Sequence, residues 1–196
     1  MKKFMVLCLA AVLSFSMLTG CGSKSDRNSD EVTGDEALDP SGMVHLESVD
    51  EVSAFFDETY GGVAEDLLPY EVQTTELDLN DADMLSYHTG LTDLTGIEGV
   101  YLSESMMSST AYSAVYIRTN DEGDAKAILQ DLMDNINPAK WVCVSAEKQV
   151  GALFGNDVFF VMGSADTADE VYKNATAAAQ GRGFNVSEMM EKNNSM

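Results

Sequence analysis

The segment Val158-Phe159-Phe160-Val161-Met162 constrains the fold of this chain more than any other. A run this short, β-branched and aromatic, bounded by the turn cluster Gly155-Asn156-Asp157 and by Gly163, reads as a strand rather than a helix. Neighbouring side chains of a strand point to opposite faces, so this strand is apolar on both. Its sheet must then be covered on both faces, which requires helices above and below. The chain has 196 residues, 45% of them hydrophobic, which is enough for one core of that kind and little more.

The remaining periodicities supply the other parts. Ser48-Val49-Asp50-Glu51 is a capping box, and Val49, Val52, Phe56 and Tyr60 share one face of a helix stopped by Gly61-Gly62. Asn80 or Asp81 caps a shorter helix carrying Met84, Leu85 and His88. Thr119-Asn120-Asp121-Glu122 opens a third helix, with Ala125, Ile128, Leu129, Leu132, Met133 and Ile136 at helical spacing before Pro138. Thr167-Ala168-Asp169-Glu170 opens a fourth, with Ala168, Val171, Tyr172, Ala175, Ala178 and Ala179 on one face before Gly181. Strands are expected over 99–105, 112–119, 149–154 and 158–163, with a further short one over 142–145. The expected fold is α+β: an antiparallel sheet of four or five strands in two strand-strand-helix units, with an additional N-terminal helix. Residues 43–183 form this single domain, and 184–196 are expected to be a frayed turn or a disordered tail.

The N-terminus reads as an address. Lys2 and Lys3 precede an apolar run of 14 residues, Phe4 to Met17. A membrane span needs about 20, whereas a secretory signal needs no more than this run supplies. It ends in Leu18-Thr19-Gly20-Cys21, which resembles the lipobox of bacterial lipoproteins. That resemblance implies cleavage after residue 20 and a diacylglycerol, with fatty acyl chains of the palmitate kind, on the Cys21 thiol. Two or more acyl chains anchor a protein stably. Residues 22–42 are polar and cannot bury enough apolar surface to order themselves. They act as an acidic tether with an r.m.s. span of about 25 Å. The expected location is the outer face of the bacterial cytoplasmic membrane, in the cell envelope.

Beyond the lipobox, Ser105-Met106-Met107-Ser108-Ser109-Thr110-Ala111-Tyr112 leads into Ala114-Val115-Tyr116-Ile117-Arg118, Asp124-Ala125 begins the next helix, and Gly155-Asn156-Asp157-Val158-Phe159-Phe160-Val161 precedes the last. These patterns resemble a family of small Gram-positive bacterial lipoproteins that share a domain of unknown function. The resemblance spans roughly residues 87–178. It implies a lipid-anchored extracytoplasmic domain and carries over no catalytic residue. The short stretch Ala139-Lys140-Trp141-Val142-Cys143 departs from the family pattern, which is longer and more charged there.

Charge excludes some functions. From Asn28 to Ile117 there is no Lys or Arg against 20 Asp and Glu, and the formal net charge of the whole chain is −22. A nucleic-acid backbone is bound by a basic surface that this chain lacks. The acidic half fits solubility near anionic lipid, or attraction of cations or a cationic envelope partner. Asp78-Leu79-Asn80-Asp81-Ala82-Asp83 begins like a calcium loop but has Ala82, Asp83 and Thr89 where oxygen, glycine and glutamate are required. No metal ligand set or cofactor is assigned. With Cys8 removed and Cys21 acylated, Cys143 is the remaining thiol, expected to be a small apolar residue in a packed segment. Ser103, Ser105, Ser108 and Ser109 lack an activating motif, and His88 on a mixed helix face near Asp83 and Asp93 is expected to be structural or solvated.

The expected function is non-enzymatic: a membrane-anchored binding or protein-interaction domain. Met106, Met107 and Tyr112 form the candidate recognition loop, because two adjacent methionines in a polar loop are hard to bury. The alternatives are a calcium- or cation-responsive module using the acidic half, and a small envelope enzyme with an unrecognised site.

Overall fold

A computed structural model describes residues 44–194. Cys21 and its flanking Leu18, Thr19 and Gly20 lie outside the described residues, as does the tether. The described chain is α+β, and its elements run α1 (Val49–Gly61), β1 (Val72–Glu76), α2 (Ala82–Thr89), β2 (Ile97–Ser105), β3 (Ser113–Thr119), α3 (Ala125–Asn135), β4 (Lys148–Phe154), β5 (Asp157–Gly163), α4 (Ala165–Gly181) and β6 (Met190–Asn193). The six strands form one antiparallel sheet in the order β1-β2-β3-β5-β4-β6.

The doubly apolar strand sits where its composition requires. β5 is buried throughout, between β3 and β4. Phe159 and Val161 meet Phe55 and Phe56 of α1 and the alanines of α4 on one face. Val158, Phe160 and Met162 meet Leu129 and Leu132 of α3, in the layer that also takes Leu85 of α2, on the other. The two strand-strand-helix units are therefore a repeat of element order only. Neighbouring antiparallel hairpins are related by an axis through the sheet that preserves its faces, yet α3 and α4 cover opposite faces.

Local chemistry sets the boundaries. Ser48 Oγ accepts from the Glu51 N–H, and the Asp81 carboxylate accepts from the Met84 N–H, capping α1 and α2 as their sequences require. The third and fourth helices begin at other caps than the sequence suggested. Thr119 is held in β3, where its N–H donates to Asp157, so α3 is capped instead by Asp124. Ser164 caps α4 a turn before Thr167, whose hydroxyl is bonded to the Leu67 carbonyl. Gly155 has φ +63° and opens the two-residue β4–β5 turn, a conformation suited to glycine. Gly90, at φ +75°, ends α2 where a Cβ would lie 2.4 Å from the backbone of Asn135, so the ends of α2 and α3 touch.

Three segments differ from expectation. Residues 142–145 form a loop, not a strand. Residues 184–194 are not a loose tail: Phe184 is buried in the α1/α4 layer, and β6 pairs with β4. β1, a polar edge strand, was not visible in the apolar pattern.

Candidate functional site

One end of the sheet gathers three loops. The β2–β3 loop (106–112), the segment before β1 (62–71) and the loop between α3 and β4 (136–147) meet there. The Met106 N–H donates to the Glu71 carbonyl at 3.0 Å, Ser105 Oγ to the Tyr70 carbonyl at 3.0 Å, and the Val142 N–H to the Ser108 carbonyl at 3.2 Å. Among the described residues the non-glycine residues with left-handed φ are Glu71 (+52°) and Cys143 (+63°), and both lie in these loops. Strained backbone persists where its surroundings hold it, and such positions cluster at binding and catalytic sites.

The loops present apolar side chains to solvent. Tyr70 is 74% exposed, Met106 65%, Val142 65% and Met107 45%. The methionines are thus where the sequence placed them, on the surface. Tyr112 is not. It is buried, and its hydroxyl donates to Tyr60 Oη at 2.9 Å, which in turn lies 2.7 Å from Ser103 Oγ. Burial raises the pKa of both tyrosines above the ordinary phenol value. Tyr112 anchors the loop and floors a cleft of about 370 Å³, walled by Leu67, Leu68 and Val144 with Asp66 and Glu147 at its margin. Its strand-like alternation directs the ring inward, into the core layer, so Tyr112 is not part of the exposed loop surface.

Cys143 is exposed, contrary to the packed position expected of it, and the loop turns through left-handed backbone at that residue.

Beneath this surface lies a polar cluster that sequence reasoning missed. Lys140 Nζ lies 3.0 Å from Glu104 Oε1, 3.3 Å from His88 Nδ1 and 3.3 Å from Ser113 Oγ. His88 Nδ1 is also 3.2 Å from Glu104 Oε2, and Trp141 Nε1 donates to Glu104 Oε1 at 3.1 Å. The Lys140 ammonium sits 5.3 Å from the Trp141 ring centroid and 5.8 Å from that of Tyr87, whose hydroxyl donates to the Lys140 carbonyl. His88 is therefore buried and paired with Glu104 and Lys140, not with Asp83 or Asp93.

Burial lowers the Lys140 pKa below the ordinary lysine value, against the opposing pull of Glu104. Burial pushes Glu104 up, but the bonds from His88 and Lys140 outweigh it and hold the carboxyl below its usual range. His88 Nδ1 can donate to Glu104 only when protonated and accept from Lys140 only when not. Ser113 and Lys140 have the composition of a nucleophile–base pair, but Ser113 is fully buried and no substrate atom can approach it. The signal that could have found the cluster is Lys140-Trp141, a lone cation beside the single Trp in a loop that carries no other charge before Glu147.

Ser103 is buried in the tyrosine network, Ser105 is tied to Tyr70, and Ser108 and Ser109 are exposed on the loop. Asp78 accepts from the backbone and side chain of Asn80, and these bonds lower its pKa. Among the described residues, no group of three His, Cys, Asp or Glu side chains is placed to hold a metal ion. No helix of the described residues is long and apolar enough to cross a membrane. The chain matches no family model, no curated protein and no solved structure.

Proposed function

We propose that this chain is a lipoprotein, anchored through Cys21 to the outer face of a bacterial cytoplasmic membrane, whose domain is a non-enzymatic protein-interaction module. The partner docks on the loop end of the sheet. The observation that carries this reading is the grouping of Tyr70, Met106, Met107 and Val142, exposed on three loops that are bonded to one another. Ordered loops that hold apolar side chains in water mark an interaction site, and methionine adapts to irregular partner surfaces. The Lys140–Glu104–His88 cluster serves as the rigid floor that fixes the loops. The likeness to the Gram-positive lipoprotein family and the lipobox support the location.

Crosslinking in intact cells tests the proposal, with the native chain compared with Cys21→Ala and with the double variant Met106→Ser/Met107→Ser. The expected result is one envelope partner, lost in both variants although the domain stays folded. Capture that survives the double variant would remove the methionine surface from the proposal. Capture that survives Cys21→Ala would remove the anchor.

A further inference from the structure

The sheet has two edges, and they are finished differently. β6 is four residues long and pinned from both sides. Lys192 Nζ donates to the Met133 carbonyl at 2.8 Å, and Glu191 is paired with Lys148 at 2.8 Å. A short edge strand carrying lysine is a common protection against unwanted pairing. β1 has none of these devices: it is five residues long and contains no lysine, proline or bulge.

The register shows which backbone groups β1 leaves outside. Glu71 pairs with Met106 and Leu77 with Val100 through ladder hydrogen bonds, so the odd-numbered residues between them face β2. The N–H and C=O groups of Val72, Thr74 and Glu76 therefore point away from the sheet. Among the described residues no strand lies beyond them.

We infer that β1 is an acceptor edge, to which the partner adds an extended segment carrying Lys or Arg as a seventh strand. The inference rests on reading the loop end as an interaction surface, and it specifies the partner's shape and charge. Main-chain bonds to an open edge supply affinity in this mode, and flanking side chains supply specificity. The edge begins beside exposed Tyr70 and Met106, so a strand running along it ends on the apolar surface. Exposed Glu71, Glu76 and Asp78 border it, within a span from Asn28 to Ile117 that has no Lys or Arg. A second copy of this chain would bring the same carboxylates to the same edge, and like charges across strands are destabilising. A basic strand is the complement.

The probe is a set of short synthetic peptides alternating lysine with valine, isoleucine, threonine or tyrosine, presented to the full chain. Binding is read by fluorescence anisotropy and its position by amide hydrogen exchange. Saturable binding is expected, with slowed exchange at the Thr74 and Glu76 amides. Methylating the peptide amides that face β1 removes donors but no charge, and it should weaken binding by about tenfold or more. Exchanging the peptide lysines for glutamate should abolish binding. Thr74→Pro should weaken binding similarly, because it removes an outward N–H and none that faces β2. If Thr74→Pro fails to fold, the methylated peptides decide the matter on the native chain.

Absence of saturable binding overturns the inference, as does binding indifferent to methylation. Slow exchange at Thr74 and Glu76 in the free chain also overturns it, because the edge is then already covered. In cells, partner capture lost in Met106→Ser/Met107→Ser but kept in Thr74→Pro would sink the edge and spare the apolar surface. Capture kept in both would sink both.

Discussion

Two buried polar clusters lie near opposite ends of β3, on opposite faces of the sheet. Each joins a histidine to a carboxylate. On the α1/α4 face, Asp157 is fully buried and accepts from the Tyr116 hydroxyl and, at 2.9 Å, from the Thr119 N–H, while His45 Nδ1 lies 3.0 Å from it. On the α2/α3 face, Glu104 is balanced by Lys140 and His88, keeps some solvent access, and lies under the exposed loops. The first cluster joins the chain just before α1 to the centre of the sheet, and its carboxylate is met largely by uncharged donors. The second is a balance of opposite charges between two aromatic rings. A His–carboxylate pair is thus no functional sign by itself. Its other partners, and what covers it, decide whether it ties a segment down or supports a surface.

The largest expected effect breaks the first cluster. Asp157→Ala leaves the Tyr116 hydroxyl and the Thr119 N–H buried without an acceptor, and should cost about 2 to 5 kcal/mol in urea unfolding. Tyr116→Phe removes one donor and leaves the others, so about 1 to 2 kcal/mol is expected. If both variants were neutral, the cluster would not be an anchor.

Lys140→Met should behave differently, because Glu104 keeps His88, Trp141 and some solvent access when the ammonium is removed. It leaves Glu104 without its strongest charge partner, but that solvent access limits the loss to about 1 to 3 kcal/mol, below that of Asp157→Ala. A loss as large as that of Asp157→Ala would make the two clusters equivalent and remove the contrast.

The pH dependence sharpens the comparison. Glu104 has a folded pKa below its unfolded value, so its contribution is complete above the ordinary carboxylate range and is lost as pH falls through the folded pKa. Lys140 also has a lowered folded pKa. Between that value and the ordinary lysine value the unfolded chain binds more protons, so stability rises with pH across that window. Urea midpoints measured against pH should lose part of the acid limb in Glu104→Gln and the alkaline rise in Lys140→Met. The smallest effect belongs to the surface: Met106→Ser/Met107→Ser should change unfolding by less than about 0.5 kcal/mol.

Much of the fold was legible because it follows from periodicity. The apolar pattern of β5 required cover on both faces, and the structure places α1 and α4 on one and α2 and α3 on the other. Ser48 and Asp81 cap the helices they precede. The adjacent methionines lie on the surface, as a polar loop around them suggested. Edge strands escaped because their side chains are half polar and carry little alternating signal: β1 reads Val-Gln-Thr-Thr-Glu and β6 reads Met-Glu-Lys-Asn. The caps of α3 and α4 moved because Thr119 and Thr167 have long-range partners, Asp157 and Leu67, that no local rule contains.

Local sequence therefore determined what each segment is, since helix, strand and turn preferences act over a few residues. The meetings between segments were decided by the tertiary structure. Lys140 reaches Glu104 and His88, 36 and 52 positions away, only because α2, β2 and the loop after α3 converge on one face of the sheet. A charge pattern along the chain has no term for such a meeting. The energy of the pair depends on distance and on the exclusion of water, and both arise only once the layers have packed.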